Sequence, residues 1–171
     1  MGADGFIFSS KPKTQGVSWS RLIQSGDSRL QVENKLTPTE KQMEEFLDPG
    51  FLGPIHMINL LKFRPRALYE DGRDSDLTGE EAFNIYSRKV NELVRASGGD
   101  VTFISKIVRL EIGEAEQLWD RVILASYPSR KIMLDIMSSE RMREIAIHRT
   151  AGLEGQLNIE TRNGFGPFSM F

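Results

Sequence analysis

The sequence predicts an α+β fold built from two similar strand-turn-helix units. The segments 53–64 and 118–129 both show the apolar pattern of a half-buried strand, and both end in a turn. An amphipathic helix pattern follows each of them. These observations specify an architecture, whereas no short motif in the chain specifies a reaction.

Composition allows one packed domain and excludes several kinds of site. Of the 171 residues, 39% are hydrophobic and 27% are charged, which suits a domain with its own core. We expect an N-terminal extension over residues 1–36, a folded domain over 37–162 and a tail over 163–171. The chain has no cysteine, which removes disulfides and thiolate chemistry. Because His56 and His148 are its only histidines and share no close spacing, we expect neither a metal site nor a cofactor.

Charge and hydropathy limit the partners. The net charge is −2 and no long basic run occurs, so nucleic-acid binding is not expected. No apolar stretch reaches the length of a membrane span, and residues 1–30 lack the apolar run of a secretory signal. The expected location is the cytoplasm.

The first half of the chain shows clear helix and strand signals. A helix is predicted after the capping residue Thr37, with Pro38 at its first position. Strand one is Ile55–Phe63, and its two faces are both apolar, so we expect it to be central and covered on both sides. A charged loop over 64–77 follows. A second capping box at Thr78 then begins a helix that closes at Gly98-Gly99.

The second half completes a four-stranded pattern. Strand two is predicted at 101–112, a hairpin at 113–117 and strand three at 118–127. Pro128-Ser129 opens the next helix, and Ser138 or Ser139 caps a further helical stretch that ends near Gly152. Strand four is predicted at 156–162. The order β-α-β-β-α-β is the ferredoxin-like split βαβ unit.

The apolar pattern of the predicted sheet indicates that the chain has a partner. Helices cover one face of such a sheet, yet strands one to three are apolar on both faces. A second copy of the chain, packed sheet on sheet, would cover the remaining face. The sequence therefore predicts a homodimer.

Several short blocks resemble a known family. They are residues 54–64 (PIHMINLLKFR), 77–79 (LTG), 119–122 (WDRV), 127–129 (YPS) and 148–153 (HRTAGL). In this order and at these gaps they resemble the family called domain of unknown function 1330, over about residues 37–162. The resemblance implies the dimeric α/β-barrel superfamily, which also holds cofactor-free antibiotic-biosynthesis monooxygenases and EthD-like proteins. It implies a homodimer whose sheets enclose a cavity, and no established reaction.

Candidate ligand-binding residues lie on the predicted strands. Asn59 sits among apolar neighbours, so its amide either pairs with neighbouring backbone or orients a ligand. Trp119, Arg121 and Tyr127 alternate onto one face of strand three. If the hairpin centres on Ala115, Arg109 lies opposite Arg121, and these like charges need neutralising. Glu111 or Asp120 would do so within the protein, and a bound carboxylate or phenolate would do so as a ligand.

Other candidates concern proton transfer and anion binding. His56 and His148 have the ordinary pKa suited to proton transfer near neutrality, and Asp120 is a third catalytic candidate. The spacing of Glu144 and His148 also suits a plain ion pair. Arg149 either caps a helix end or reaches a carboxylate. Arg64, at the start of the charged loop, either is solvated or meets an anionic substrate.

The expected function is therefore a homodimer that holds a small aromatic or acidic molecule. As an enzyme it would catalyse cofactor-free oxygenation or isomerisation, by analogy with the superfamily. The alternative is a binding or interaction module without turnover. A haem-degrading enzyme would need an axial ligand, which one of the histidines would have to supply.

Overall fold

A computed structural model describes residues 32–48, 51–73 and 76–162. The predicted extension up to residue 31 and the predicted tail from 163 lie outside the described residues. The described chain from Glu33 onward belongs to one compact unit.

Four helices and four strands make up the described chain. In chain order they are α1 (Glu40–Leu47), β1 (Ile55–Phe63), α2 (Gly79–Ala96), β2 (Asp100–Lys106), β3 (Arg121–Tyr127), α3 (Arg130–Ser138), α4 (Glu140–Gly152) and β4 (Leu153–Thr161). The strands form one antiparallel sheet in the order β2-β3-β1-β4. The predicted α+β, ferredoxin-like class and the interior position of β1 are confirmed.

Side-chain caps set the helix starts. Thr78 caps α2 in a reciprocal capping box with Glu81, as predicted, and Ser139 caps α4. The start of α1 differs from the prediction. Thr39 rather than Thr37 is its capping residue, because Thr39 forms the reciprocal hydrogen bonds with Gln42.

The ends of the strands differ more from the prediction than the helix starts do. The predicted strand two extended to residue 112, but β2 ends at Lys106, and β3 begins at Arg121 rather than at residue 118. After the Ile107 amide donates to the Asp120 carbonyl, the chain between them leaves the sheet. Val108 and Ile112 are 80% and 91% exposed there, so the apolar alternation in this segment has no surface of the described chain to pack on. β4 begins three residues earlier than predicted, directly after α4.

The core lies between one face of the sheet and the helices. On that face the inward residues Ile55, Met57, Leu61, Ile123 and Ala125 are buried. The register places a second apolar set on the opposite face: Ile58, Leu60, Phe103, Val122, Leu124, Leu157 and Ile159. We call this set the open sheet face. Phe103 and Ile159 within it are 50% and 44% exposed.

Candidate functional site

Two tyrosines and one arginine bring polar groups into the core layer. Tyr86 comes from the buried stripe of α2, and Tyr127 ends the buried alternation of β3. Both belong to the same apolar core. The guanidinium of Arg149, from the last turns of α4, interacts electrostatically with the phenol of Tyr86. We call these three side chains the tyrosine–arginine cluster.

The two phenols are buried without hydrogen bonds. Tyr86 is 9% exposed and Tyr127 is 6% exposed, yet neither hydroxyl is bonded to any group of the described chain. Buried polar groups in proteins nearly always find a partner. Among described side chains, the fully buried atoms without a partner are Arg64 Nε and Asn91 Oδ1, so both hydroxyl oxygens keep some contact with solvent. Both hydroxyls therefore have hydrogen-bonding capacity that the described chain does not use.

Burial changes the pKa values of the three side chains of the cluster. It raises the pKa of Tyr127 to about 12, with a smaller contribution from Tyr86. Burial also raises the pKa of Tyr86, against the lowering effect of Arg149, and lowers the pKa of Arg149, against the raising effect of Tyr86. Near neutral pH both phenols hold their protons, and the guanidinium stays charged because its ordinary pKa is so high.

Arg149 has one polar protein contact in the described chain. Its Nη2 donates to the carbonyl oxygen of Leu36 at 2.8 Å, and no carboxylate among the described residues pairs with it. The cluster thus combines a positive charge with two phenolic donors, and the one acceptor that it contacts is a backbone carbonyl. Such a set is complementary to an anionic oxygen, either a carboxylate or an enolate.

Asn59 lies on the core face of the sheet, to which Met57 and Ile123 also point. Its Nδ2 donates to the carbonyl oxygens of Met57 and Ile123, both at 3.3 Å. Backbone of its own and the adjacent strand therefore holds the amide, as one of the two interpretations of this residue requires. Since both N–H groups are used, Oδ1 is the atom that remains for a ligand.

The two histidines lie on different elements, His56 on β1 and His148 on α4 directly before Arg149. His56 pairs with Ser126 and Thr161, so its side chain points to the open sheet face. On α4, Nδ1 of His148 is 2.7 Å from the Tyr69 hydroxyl, and the rings meet edge to face. His56 thus lies on the opposite face of the sheet from Tyr127.

The predicted opposition of Arg109 and Arg121 is wrong. Lys106 lies opposite Arg121 in the sheet register. Arg109 lies beyond the end of β2, exposed, where its Nε donates to Glu111 at 2.5 Å. The error follows from the length assumed for the hairpin, because a shift of the turn changes every cross-strand pair. Lys106 belongs to β2, which is an edge strand of the sheet.

The remaining candidates gather near the carboxyl end of β1. Asp120 pairs with Lys62, and Arg121 pairs with Glu80 of α2, so the neutralising partner of Arg121 is Glu80 rather than Asp120. Arg64 directly follows β1. Trp119 donates from Nε1 to Asn34 Oδ1 at 2.7 Å, which ties it to the segment before α1.

Sequence reasoning missed Tyr86, Lys62 and Glu80. Tyr86 lies on the buried face of α2, and a tyrosine on such a face carries a hydroxyl that needs a partner. The described residues contain no group of three or more His, Asp or Glu side chains that could hold a metal ion. No described helix is both long and apolar enough to cross a membrane.

Comparisons with known proteins identify a close relative. No protein-family model and no curated protein matches the chain. A crystal structure of RPA0582, a protein of unknown function from Rhodopseudomonas palustris, is 31% identical with a TM-score of 0.70 and covers 79% of this chain and 100% of its own. A structure of methylated RPA0582 is 32% identical with a TM-score of 0.71, covering 79% and 98%.

A more distant match is a dimeric protein of unknown function from Bacteroides fragilis with a ferredoxin-like fold. It is 11% identical with a TM-score of 0.36, and the match covers 65% of this chain and 97% of that one. A likeness of this strength says nothing about ligand or assembly.

Proposed function

This chain belongs to the family of the Rhodopseudomonas palustris protein RPA0582, and we propose that it binds a small organic acid at the tyrosine–arginine cluster. The observation that carries the proposal is the pair of buried phenols, Tyr86 and Tyr127, whose hydroxyls have no partner in the described chain. An acidic ligand would supply the missing acceptor, and Arg149 would balance its charge.

The surroundings of the cluster define the rest of the ligand. Met57, Ile123, Ala125 and Ile136 belong to the same buried core as the two tyrosines. Such side chains suit an apolar body, whereas the phenols and the guanidinium suit one acidic head. The proposed ligand class is thus a small carboxylic acid with an aromatic or aliphatic body, bound as its anion.

Binding fits the cluster better than base catalysis. A general base works best when its pKa lies near the working pH, and the pKa values of both tyrosines are raised above their ordinary value. The cluster would therefore hold a carboxylate or stabilise an enolate, and oxygenation or isomerisation would need a base from another part of the chain. For this reason we propose a ligand-binding protein, acting in the cytoplasm, ahead of an enzyme.

We also propose that two copies associate through the open sheet face. Its seven apolar side chains come from all four strands, and half-exposed Phe103 and Ile159 lie on opposite edge strands. Covering such a patch removes apolar surface from water, which favours association. The resemblance of several sequence blocks to domain of unknown function 1330, which implies a dimeric superfamily, supports the same proposal.

Isothermal titration with benzoate tests the ligand proposal. Tyr86→Phe and Tyr127→Phe should each weaken benzoate binding about tenfold, because each removes one hydrogen bond to the carboxylate. Benzamide, which has the same shape without the charge, should bind more weakly than benzoate. Tyr69→Phe, which removes a tyrosine hydroxyl outside the cluster, should leave the affinity unchanged. Equal benzoate affinity in the wild type and the Tyr86→Phe/Tyr127→Phe double variant would refute the proposal.

A further inference from the structure

A cleft of about 600 Å³ opens at the carboxyl end of β1, away from the tyrosine–arginine cluster. The end of β1, the start of β3 and the first turn of α2 form its walls. Its ionisable lining includes Lys62, Arg64, Glu80, Lys106, Asp120 and Arg121. The volume suits a small molecule.

Two of the cations in the cleft are already neutralised. Lys62 Nζ lies 3.3 Å from Asp120 Oδ1, and the second carboxylate oxygen of Asp120 accepts from the Phe63 amide at 2.8 Å. Arg121 donates to Glu80 at 2.5 Å and to Asn84 at 2.7 Å. Its guanidinium also lies 4.9 Å from the centroid of the Phe63 ring. These contacts hold one wall of the cleft in place.

Arg64 differs from both of these cations. Its backbone is bonded on both sides, with its amide donating to the Gly152 carbonyl at 2.9 Å and its carbonyl accepting from the Gly79 amide at 3.1 Å. Its side chain lines the cleft, and it forms no hydrogen bond or ion pair with the described residues. Its Nε is completely buried and has no acceptor. Hydrogen bonds thus fix the Arg64 backbone, while its guanidinium has no acceptor among the described residues.

The net charge of the cleft lining also favours an anionic ligand. Four cationic and three anionic side chains line the cleft, which leaves one positive charge in excess. Besides Arg64, Lys106 and Glu154 form no ion pair among the described residues. A singly charged anion would balance the lining, whereas a doubly charged anion would leave the site with a net negative charge.

We propose that this cleft is a second ligand site, which binds a small polar carboxylate through the guanidinium of Arg64. The carboxylate accepts from the two terminal nitrogens of Arg64, which are not among the fully buried unpaired atoms, in the planar two-bond arrangement that guanidinium and carboxylate favour. Lys106, at the edge of the sheet, adds a second positive charge. The site is independent of the proposed function, because none of the cleft residues belongs to the tyrosine–arginine cluster.

Proton–nitrogen NMR of the arginine Nε–Hε groups tests this site in the full-length protein. Titration with acetate should shift the Arg64 signal in a saturable manner, and titration with acetamide should not shift it. Arg64→Gln should remove that signal. It should also weaken acetate affinity at least about tenfold, as measured by the acetate-dependent shift of the Phe63 amide. Arg64→Lys keeps the charge but lacks the planar pair of terminal nitrogens, so it should lose most of the acetate affinity even if the glutamine variant folds poorly.

Matched controls separate the outcomes. Arg66→Gln removes an exposed arginine two residues away that is paired with Asp76, and it should leave acetate binding unchanged. Tyr127→Phe should also leave the Arg64 shift unchanged, so this site and the benzoate site can fail separately. Saturation by inorganic phosphate at lower concentration than by acetate would contradict the carboxylate assignment. An Arg64 signal that does not respond to acetate would overturn the proposal altogether.

Discussion

Gly79 and Gly152 meet backbone to backbone where α2 begins and α4 ends. A methyl group on Gly79 would lie 2.4 Å from the Gly152 carbonyl oxygen, and one on Gly152 would lie 2.4 Å from the Gly79 carbonyl oxygen. The Arg64 backbone is bonded to both glycines. The close approach of the two helices thus determines where the end of β1 and the side chain of Arg64 lie.

The Gly79→Ala variant should lose stability because its methyl group would meet the carbonyls of Arg64 and Gly152. These carbonyls accept hydrogen bonds from the Gly79 and Arg64 amides and cannot move without breaking them. We expect a loss of about 3 kcal/mol, measured by chemical denaturation. Gly72→Ala is the matched control, since no atom would meet its methyl group and the cost comes from its φ of +71° alone. That cost should be about 1 kcal/mol. Equal losses in the two variants would show that the helix crossing tolerates a side chain.

Removing the unbonded hydroxyls of the cluster should cost the ligand-free protein little. Tyr86→Phe and Tyr127→Phe should each change the unfolding free energy by less than about 0.5 kcal/mol, because no protein hydrogen bond is lost. Tyr69→Phe, which removes a hydroxyl 2.7 Å from His148 Nδ1, should cost about 1 kcal/mol. Thermal and urea unfolding of the three variants would check this order, and a larger loss for Tyr127→Phe than for Tyr69→Phe would contradict it.

Stability at high pH should depend on Tyr127. Its pKa is raised from 10.0 to about 12 in the folded protein, so the unfolded chain releases this proton first. The stabilising effect is complete below pH 10 and is lost as the pH rises towards 12, by up to about 3 kcal/mol. Tyr127→Phe should therefore lose less stability over this range than the wild type does. Parallel stability curves for the two proteins would contradict the pKa assignment.

Stability at low pH should depend on Glu160. Burial raises the pKa of this carboxyl, but hydrogen bonds from Arg130 and Arg162, all between 2.7 and 3.1 Å, outweigh burial and lower it below 4.5. The stabilising effect is present above pH 4.5 and is lost as the pH falls through the folded-state pKa.

Glu160→Gln should accordingly cost about 2 kcal/mol at neutral pH and should flatten the acid limb of the stability curve. The control is Glu111→Gln, which breaks the exposed pair with Arg109 and should cost less than about 0.5 kcal/mol. Urea titrations from neutral to acid pH measure both effects. A glutamine variant of Glu160 with an unchanged acid limb would show that the two arginines do not stabilise this carboxylate.

The open sheet face should control the number of subunits. Phe103→Glu and Ile159→Glu each place a charge on this face, so each should convert a dimer to a monomer in light scattering after size-exclusion chromatography. Ile112→Glu places the same charge on an exposed apolar residue outside the sheet and should leave the dimer intact. A wild type that runs as a monomer at high concentration would rule out the proposed association.

The fold was largely predictable because its signals are local. Apolar residues on both faces predicted β1 and its central position, and the capping box at Thr78 predicted the start of α2. The extent of β2 was not predictable in the same way. Val108 and Ile112 continue the alternation, but a strand also needs a partner strand, and the described chain provides none there.

The candidate site was less predictable because its parts are distant in sequence. Tyr127 and Arg149 were singled out for separate reasons, and nothing in the sequence placed Tyr86 beside them. Arg109 was placed opposite Arg121 by an assumed turn, and the observed register replaced it with Lys106. Cross-strand and helix-to-sheet neighbours depend on register and packing, which a local pattern does not contain.

The sequence by itself determined the order of the helices and strands, the central strand and the apolar character of both sheet faces, since each of these follows from periodicity and capping along the chain. Only the tertiary structure decided which polar groups meet. It left the hydroxyls of Tyr86 and Tyr127 and the guanidinium of Arg64 without hydrogen-bond partners among the described residues. Which polar groups become hydrogen-bonded depends on where distant segments pack.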